Sequence, residues 1–411
     1  MRKVFVFFCV FCLLVNTFAC LLFNVSRKDD FAQLQKCYSA DSKGHTKEVL
    51  PVEIKAKSAV LMDVSTGEIL LERNKDLKVF PASVTKIMTL LLVAEAIENK
   101  KISLTDKVIC SENAASKGGS QIWLEPGEEM TVDELLRATV IGSANDAATL
   151  LGEYVSGSEQ AFIDLMNNRG KELGMKNTCF VNATGLDDTT EEHLTTAEDI
   201  AIMSCELLKH DFIQNYTTVW MDTLRNGETE LVNTNKLVRF FDGTTGLKTG
   251  TTSKAGCCIS ASAQRDGLHL VAVVMGSDTS DDRFNTAKNM LNWGFSNYCV
   301  FTPSMEGELP SSVSVIGGLT ETVDVTMPSL SPVLIKKSEK EKVSVKAELC
   351  KDVEAPVEQN QTLGTITVTV GDKKISEYKI LSKNQVKKLN FFSAMLKLFN
   401  YISTGDESYP F

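Results

Sequence analysis

Positive charge is in deficit: 43 Lys and Arg face 53 Asp and Glu, a formal net charge of −10. A nucleic-acid partner needs clustered cations against its phosphates, so that class is set aside. Histidine is scarce. The four present show no paired spacing, no H-E-x-x-H run occurs, and no paired Cys/His ligand pattern follows the first segment. The sequence therefore implies no metal and no other cofactor. A G-x-S-x-G elbow is also missing, which argues against a Ser-His-Asp hydrolase and leaves His193 a structural role. The eleven cysteines are too scattered to read as a disulfide framework and are expected mostly as free thiols. Adjacent Cys257 and Cys258, on a predicted strand, should face opposite sides.

What is present is apolar content and length. A chain of 411 residues, 43% hydrophobic, exceeds one core and predicts two or three folded units. Residues 1–23 open with two cations and continue in a nearly unbroken apolar run, the pattern of an export signal, so the chain is expected to work outside the cytoplasm. Thr17-Phe18-Ala19 is a loose cleavage site, so removal and retention as an anchor both stay open. "CVFC" at 9–12 lies inside this segment and reads as small apolar side chains rather than a catalytic dithiol.

A polar leader, 24–54, precedes a catalytic unit expected over 55–303. Within it "SAVLMDVSTGEILLERN" reads as two strands about a Ser-Thr-Gly turn, followed by a helix over 84–99. From about 100 to 235 the periodicity is mostly helical, which predicts a helical insertion. Strands return in "GLKTGTT", "GCCISASAQ" and "LHLVAVVMGS", the last two joined by Arg265-Asp266-Gly267, before the helix "DDRFNTAKNMLNWGF". Alternating runs over 304–382 predict a small all-β domain, and 383–411 an amphipathic tail with Leu389, Phe392, Leu396 and Phe399 on one stripe. Such a helix suits a membrane surface or the flank of the β domain.

In "PASVTKIMT" Ser83 stands three residues before Lys86. Ser-x-x-Lys alone is weak, since "SEYK" at 376–379 repeats it, and a serine there also suits a helix N-cap. Two further motifs give it weight: Ser143-Ala144-Asn145 before a helix, and Lys248-Thr249-Gly250 on a strand. A rival Ser-x-Asn, "SEN" at 111–113, is expected in a mobile loop. A serine hydroxyl needs a base to take its proton, and a lysine one turn away can reach it if neutral. Lowering its pKa from about 10.4 toward 7 takes roughly 4–5 kcal/mol, obtainable from desolvation and a second cation such as Lys248.

The ordered set Ser-x-x-Lys, Ser-x-Asn, Lys-Thr-Gly resembles the serine-type D-alanyl-D-alanine carboxypeptidases, low-molecular-weight penicillin-binding proteins of the peptidase S11 kind. The likeness runs from about 54 to 382 and takes in "VNATGLDD" with His193, "LTTAEDIA", "NTNKLVRF" and Ala355-Pro356. It departs at Ala144, where the motif has Asp, and at Thr234, where some relatives have arginine. The resemblance implies an α+β fold: a β-lactamase/transpeptidase-like domain of antiparallel sheet flanked by helices, a C-terminal all-β domain and a terminal amphipathic helix. It implies Ser83 as nucleophile, Lys86 as base and Ser143 as proton relay. Asn145, Lys248, Thr249 and Thr251 would bind substrate, with backbone N–H groups of Ser83 and Thr251 aimed at the oxyanion. Arg283 is the candidate receiver of the substrate carboxylate, a surface salt bridge being its plainer reading. The implied partners are peptidoglycan stem peptides, β-lactams as inhibitors, and a membrane surface. A class A β-lactamase and a silent wall-binding module are the alternatives; the first would want a Glu-x-x-x-Asn, absent between 143 and 248.

Overall fold

The computed structural model describes residues 50–404 apart from 189 and 306–308. The expected signal, nearly all of the leader and the last seven residues lie outside the described residues. Strands β1 (Ser58–Asp63) and β2 (Ile69–Arg73) form the expected hairpin. Its turn is closed by Asp63, whose Oδ2 accepts from the backbone N–H and the hydroxyl of Thr66, each at 2.8 Å. A 3-10 turn over Ala82–Thr85 leads into helix α1 (Lys86–Glu98). Every residue of α1 from Lys86 to Ala94 is buried, and a helix apolar on all sides must be enclosed.

The enclosure comes from the segment expected to be helical. It holds β3 (Lys107–Ile109), α2 (Glu112–Ala115), β4 (Glu129–Thr131), α3 (Val132–Val140), α4 (Asn145–Ser156), α5 (Glu159–Glu172), α6 (Ala197–Leu207), α7 (Gln214–Thr217), β5 (Met221–Leu224), β6 (Thr229–Val232) and α8 (Leu237–Phe240). Helices α4, α5 and α6 pack on α1. The hairpins β3–β4 and β5–β6 depart from the all-helical expectation, because strands of three or four residues alternate too few times to register as period two. Helix starts follow chemistry: Thr131 and Glu134 make a reciprocal capping box at α3, and Ser158 and Thr196 cap α5 and α6.

Strands β7 (Thr244–Thr252), β8 (Gly256–Arg265) and β9 (Leu268–Ser277) complete an antiparallel sheet in the order β2-β1-β9-β8-β7. Asp266 (φ 49°) and Gly267 (φ 80°) make the tight β8–β9 turn that needs two left-handed residues. On β8, Cys257 is half-buried and Cys258 buried, in keeping with opposite facing. The seven cysteines among the described residues are free. Every residue of β9 is buried, so both sheet faces are covered. On one face Cys205 of α6 meets Met62; on the other, Gly294 of α9 (Ser280–Asn297) lies so close that a Cβ there would sit 2.5 Å from Leu270 and 3.0 Å from Leu61.

Beyond α9 come β10 (Tyr298–Phe301), β11 (Ser312–Ile316), β12 (Thr322–Thr326), β13 (Val333–Lys336), β14 (Val343–Leu349), β15 (Asp352–Glu354), β16 (Thr362–Val370) and β17 (Lys373–Ser382). Six of them form a sheet ordered β14-β16-β17-β12-β11-β15, while β10 pairs with β13. The chain stays bonded to this unit past residue 382: Val386 bridges Val357, and the Leu389 N–H donates to Gly317. Val386 belongs to the same small core as Val313, Val323 and Leu363, which is the physical reason. Helix α10 (Phe391–Thr404) follows, leaving Phe391, Phe392, Met395, Leu396, Phe399 and Ile402 exposed. Among the described residues no helix is long and apolar enough to cross a membrane.

Candidate active site

Ser83 sits second in the 3-10 turn and makes no capping bond, and the α-helix proper begins at Lys86. The N-cap reading thus fails. Ala82 takes a left-handed φ of 48°, bending the chain so that the Ser83 hydroxyl meets Lys86 rather than a free helix N–H. Lys86 Nζ donates to Ser83 Oγ at 3.0 Å, to Asn145 Oδ1 at 2.6 Å and to the Thr184 carbonyl at 2.9 Å. Three donors meet three acceptors in a site where Lys86 is 0% exposed. Burial holds its pKa well below the ordinary 10.5, the Lys248 cation adds to this, and Asp146 opposes it.

Asn145 opens α4 and is fixed on both sides: its Nδ2 donates to Gly118 O at 2.6 Å and its backbone N–H to Ser120 O at 2.7 Å. Ser143, two residues earlier, is buried and left-handed (φ 61°), and no hydrogen bond joins it to Lys86 among the described residues. The rival Ser111-Glu112-Asn113 is not a mobile loop. Ser111 caps α2 through Ala114 N–H at 2.9 Å, and its hydroxyl and the Asn113 amide both bond Glu153.

Strand β7 brings Lys248, Thr249 and Thr251 to the same place. Lys248 is buried and pushed down to about 7 by desolvation and by Arg283. The Thr249 hydroxyl donates to that of Thr234 at 2.7 Å. Gly250 lies against the Ser83 turn: a Cβ on it would stand 2.8 Å from the Ser83 amide nitrogen and 3.0 Å from the Pro81 oxygen. Arg283 is no surface ion pair. It is buried, and its Nη1 donates to Gly250 O and Thr251 Oγ1, each at 3.1 Å, and to Cys258 O at 3.2 Å. Burial holds its pKa below the ordinary value, and its Nε has no partner among the described residues.

Sequence reasoning missed the groups that hold the lysine's third bond. Asn182 Oδ1 accepts from the Thr184 N–H, the Thr184 hydroxyl and the Gly185 N–H, folding the "NATG" run so that the Thr184 carbonyl faces Lys86. An Asn two and three residues before polar and Gly positions was the available signal, an Asx turn. Asp146 was also missed: its carboxylate accepts from Ile122, Leu124 and Ala147 N–H groups. His193 is structural. Its Nδ1 accepts from Val181 N–H, so its Nε2–H donates to Thr85 Oγ1 at 2.9 Å, and burial lowers its pKa to about 4.

A serine hydroxyl on a buried, deprotonation-prone lysine, set against the edge strand of an antiparallel sheet between helices, defines the class of serine hydrolases with a lysine in place of histidine. Residues 44–279 match the family described as peptidase S11, D-alanyl-D-alanine carboxypeptidase, and residues 300–388 match the penicillin-binding protein 5 C-terminal domain. The chain belongs to this D-alanyl-D-alanine carboxypeptidase family. It is 41% identical over 360 residues to the D-alanyl-D-alanine carboxypeptidase DacF of Bacillus subtilis, covering 86% of this chain and 92% of that one. DacC of Escherichia coli is 32% identical, over 82% and 86%. Penicillin-binding protein 5 of Haemophilus influenzae superposes with a TM-score of 0.70 at 30% identity, covering 83% of this chain and 100% of that one. The ampicillin-bound penicillin-binding protein D2 of Listeria monocytogenes, at 32% identity and a TM-score of 0.55, covers 59% of this chain and 99% of its own.

Proposed function

We propose that this carboxypeptidase removes the terminal D-alanine from peptidoglycan stem pentapeptides through an acyl-enzyme on Ser83. The observation that carries the reading is the fully buried Lys86 ammonium at 3.0 Å from the Ser83 hydroxyl. In its neutral form Lys86 takes the Ser83 proton as Oγ attacks the penultimate D-Ala carbonyl, and the oxyanion forms between the N–H groups of Ser83 and Thr251. The departing D-alanine amine takes its proton through Ser143. Water then attacks the ester, with Lys86 again the base. Asn145 and Lys248 hold the peptide backbone, and Thr249 receives the terminal carboxylate. Arg283 fixes Gly250 and Thr251 and supplies the positive charge that receives the carboxylate with Thr249.

A β-lactam presents the same carbonyl geometry, and a relative solved with ampicillin bound supports its acylating Ser83. The site residues fall within 55–303, followed by the β domain of 304–382, whose bonding runs on to Leu389, and within the tail of 383–411 a helix that exposes Phe391, Phe392, Met395, Leu396, Phe399 and Ile402 suits attachment to the outer face of the cytoplasmic membrane. The deciding experiment is intact mass after benzylpenicillin, with peptide mapping. A lasting adduct on the Ser83 peptide, lost in Ser83→Ala together with D-alanine release, is expected. Hydrolysed drug with no adduct would point to a β-lactamase instead.

A further inference from the structure

Trp123 is 78% exposed and holds a left-handed backbone, φ 60°. Bulky residues rarely adopt that conformation, and it persists only where the surroundings dictate it. Here they do. The N–H groups of Ile122 and Leu124 both donate to Asp146, at 3.1 and 3.0 Å, and the Ile122 carbonyl accepts from Arg225 at 2.8 Å. Arg225 in turn is clamped by both oxygens of Glu128, at 2.7 and 3.0 Å. Ile122 and Leu124 are buried, so the residue between them is turned outward.

The same two helix-start residues serve the reaction site and this loop. Asn145 binds Lys86 and fixes Gly118 and Ser120, while Asp146 fixes Ile122 and Leu124. The run 118–124 is thus an anchored rim beside the site, ending in an indole. That indole adds nothing to the core. The run carries no charged side chain, its exposed neighbour Glu125 is acidic, and Glu128 and Glu129 are already paired with Arg225 and Lys107. With Lys117 paired to Glu159, an anionic ligand finds no free cation here among the described residues, whereas an uncharged ring with a flat C–H face meets an indole face ready for it.

We propose that Trp123 is a specificity residue that stacks on a sugar of the glycan strand bearing the stem peptide, favouring wall-linked substrate over free peptide. This rests on the carboxypeptidase reading of Ser83. The test compares a free pentapeptide ending in D-Ala-D-Ala with the same pentapeptide on its N-acetylglucosamine–N-acetylmuramic acid disaccharide, with benzylpenicillin acylation measured in parallel. In Trp123→Ala, kcat/KM for the disaccharide substrate is expected to fall about tenfold, with free peptide and acylation unchanged; Trp123→Phe should stay within about threefold of wild type. Trp123→Gly accepts the left-handed angle without strain, so it keeps the fold and shows the same selective loss. Equal loss on both substrates, or none on either, overturns the proposal. So does reduced binding to anionic lipid vesicles with the substrate ratio unmoved. Absent acylation of Ser83 in the wild type would instead remove the underlying reading.

Discussion

Two lysines in one dry site cannot both hold a proton cheaply, and the Lys248 charge bears on the readiness of Lys86. Lys86 lies low chiefly through burial and secondly through the Lys248 charge. Replacing Lys248 with Gln removes that charge, so Lys86 keeps its proton to higher pH. The acid limb of the Ser83 acylation rate should then move upward, while Lys248→Arg leaves it nearly in place. A pH profile of benzylpenicillin acylation checks this; a limb that stays put in Lys248→Gln would mean the two groups are not coupled. Which residue types to suspect was legible, because Ser83, Lys86, Asn145 and Lys248 sit in short motifs. Their protonation was not legible, since burial belongs to no single residue. Nor was Asn182, which acts only by shaping the carbonyl of Thr184.

Where β7 crosses the 3-10 turn the two backbones lie in close contact. Gly250→Ala would place a methyl 2.8 Å from the Ser83 nitrogen, forcing the strand away from the Ser83 turn. We expect acylation to fall at least about a hundredfold, as misplacement of about 1 Å does, with melting lowered only a few degrees. Stopped-flow acylation beside calorimetry separates the two effects, and near wild-type acylation would show that β7 does not line the reacting bond. The long helices and the β7–β9 strands were legible from period and turn chemistry. The two short hairpins were not, and neither was the continuation of the β unit to Leu389, which depends on Val386 reaching a core formed by distant strands.

Across the whole molecule, burial of titratable groups sets the response to pH. His193 and His269 are each lowered by burial to about 4 from an ordinary 6.5. Between those values the unfolded chain binds the protons and the native one does not, so stability falls as pH drops from about 6.5 to 4. The two together account for several kcal/mol. Thermal unfolding from pH 7 to 4.5 should show this slope, and His269→Asn should make it shallower; an unchanged slope would assign the acid loss to other groups. At the chain's end, truncation after residue 390 removes the exposed apolar face of α10. Truncated protein should leave the pellet with anionic vesicles while its rate on free peptide holds, and continued pelleting would place attachment elsewhere.

Local chemistry alone dictates the alternation of strands, the caps at Thr131, Ser158 and Thr196, the tight turn at Asp266-Gly267, and the order of the motif residues. These are local choices, settled by the side chains within one or two turns. Long-range packing is what encloses Lys86, with partners 59 and 98 residues away, buries Arg283 rather than pairing it at the surface, and holds Trp123 outward. Desolvation and strain are properties of what surrounds a group. For this chain those surroundings are assembled from segments far apart in sequence, and no short stretch contains them.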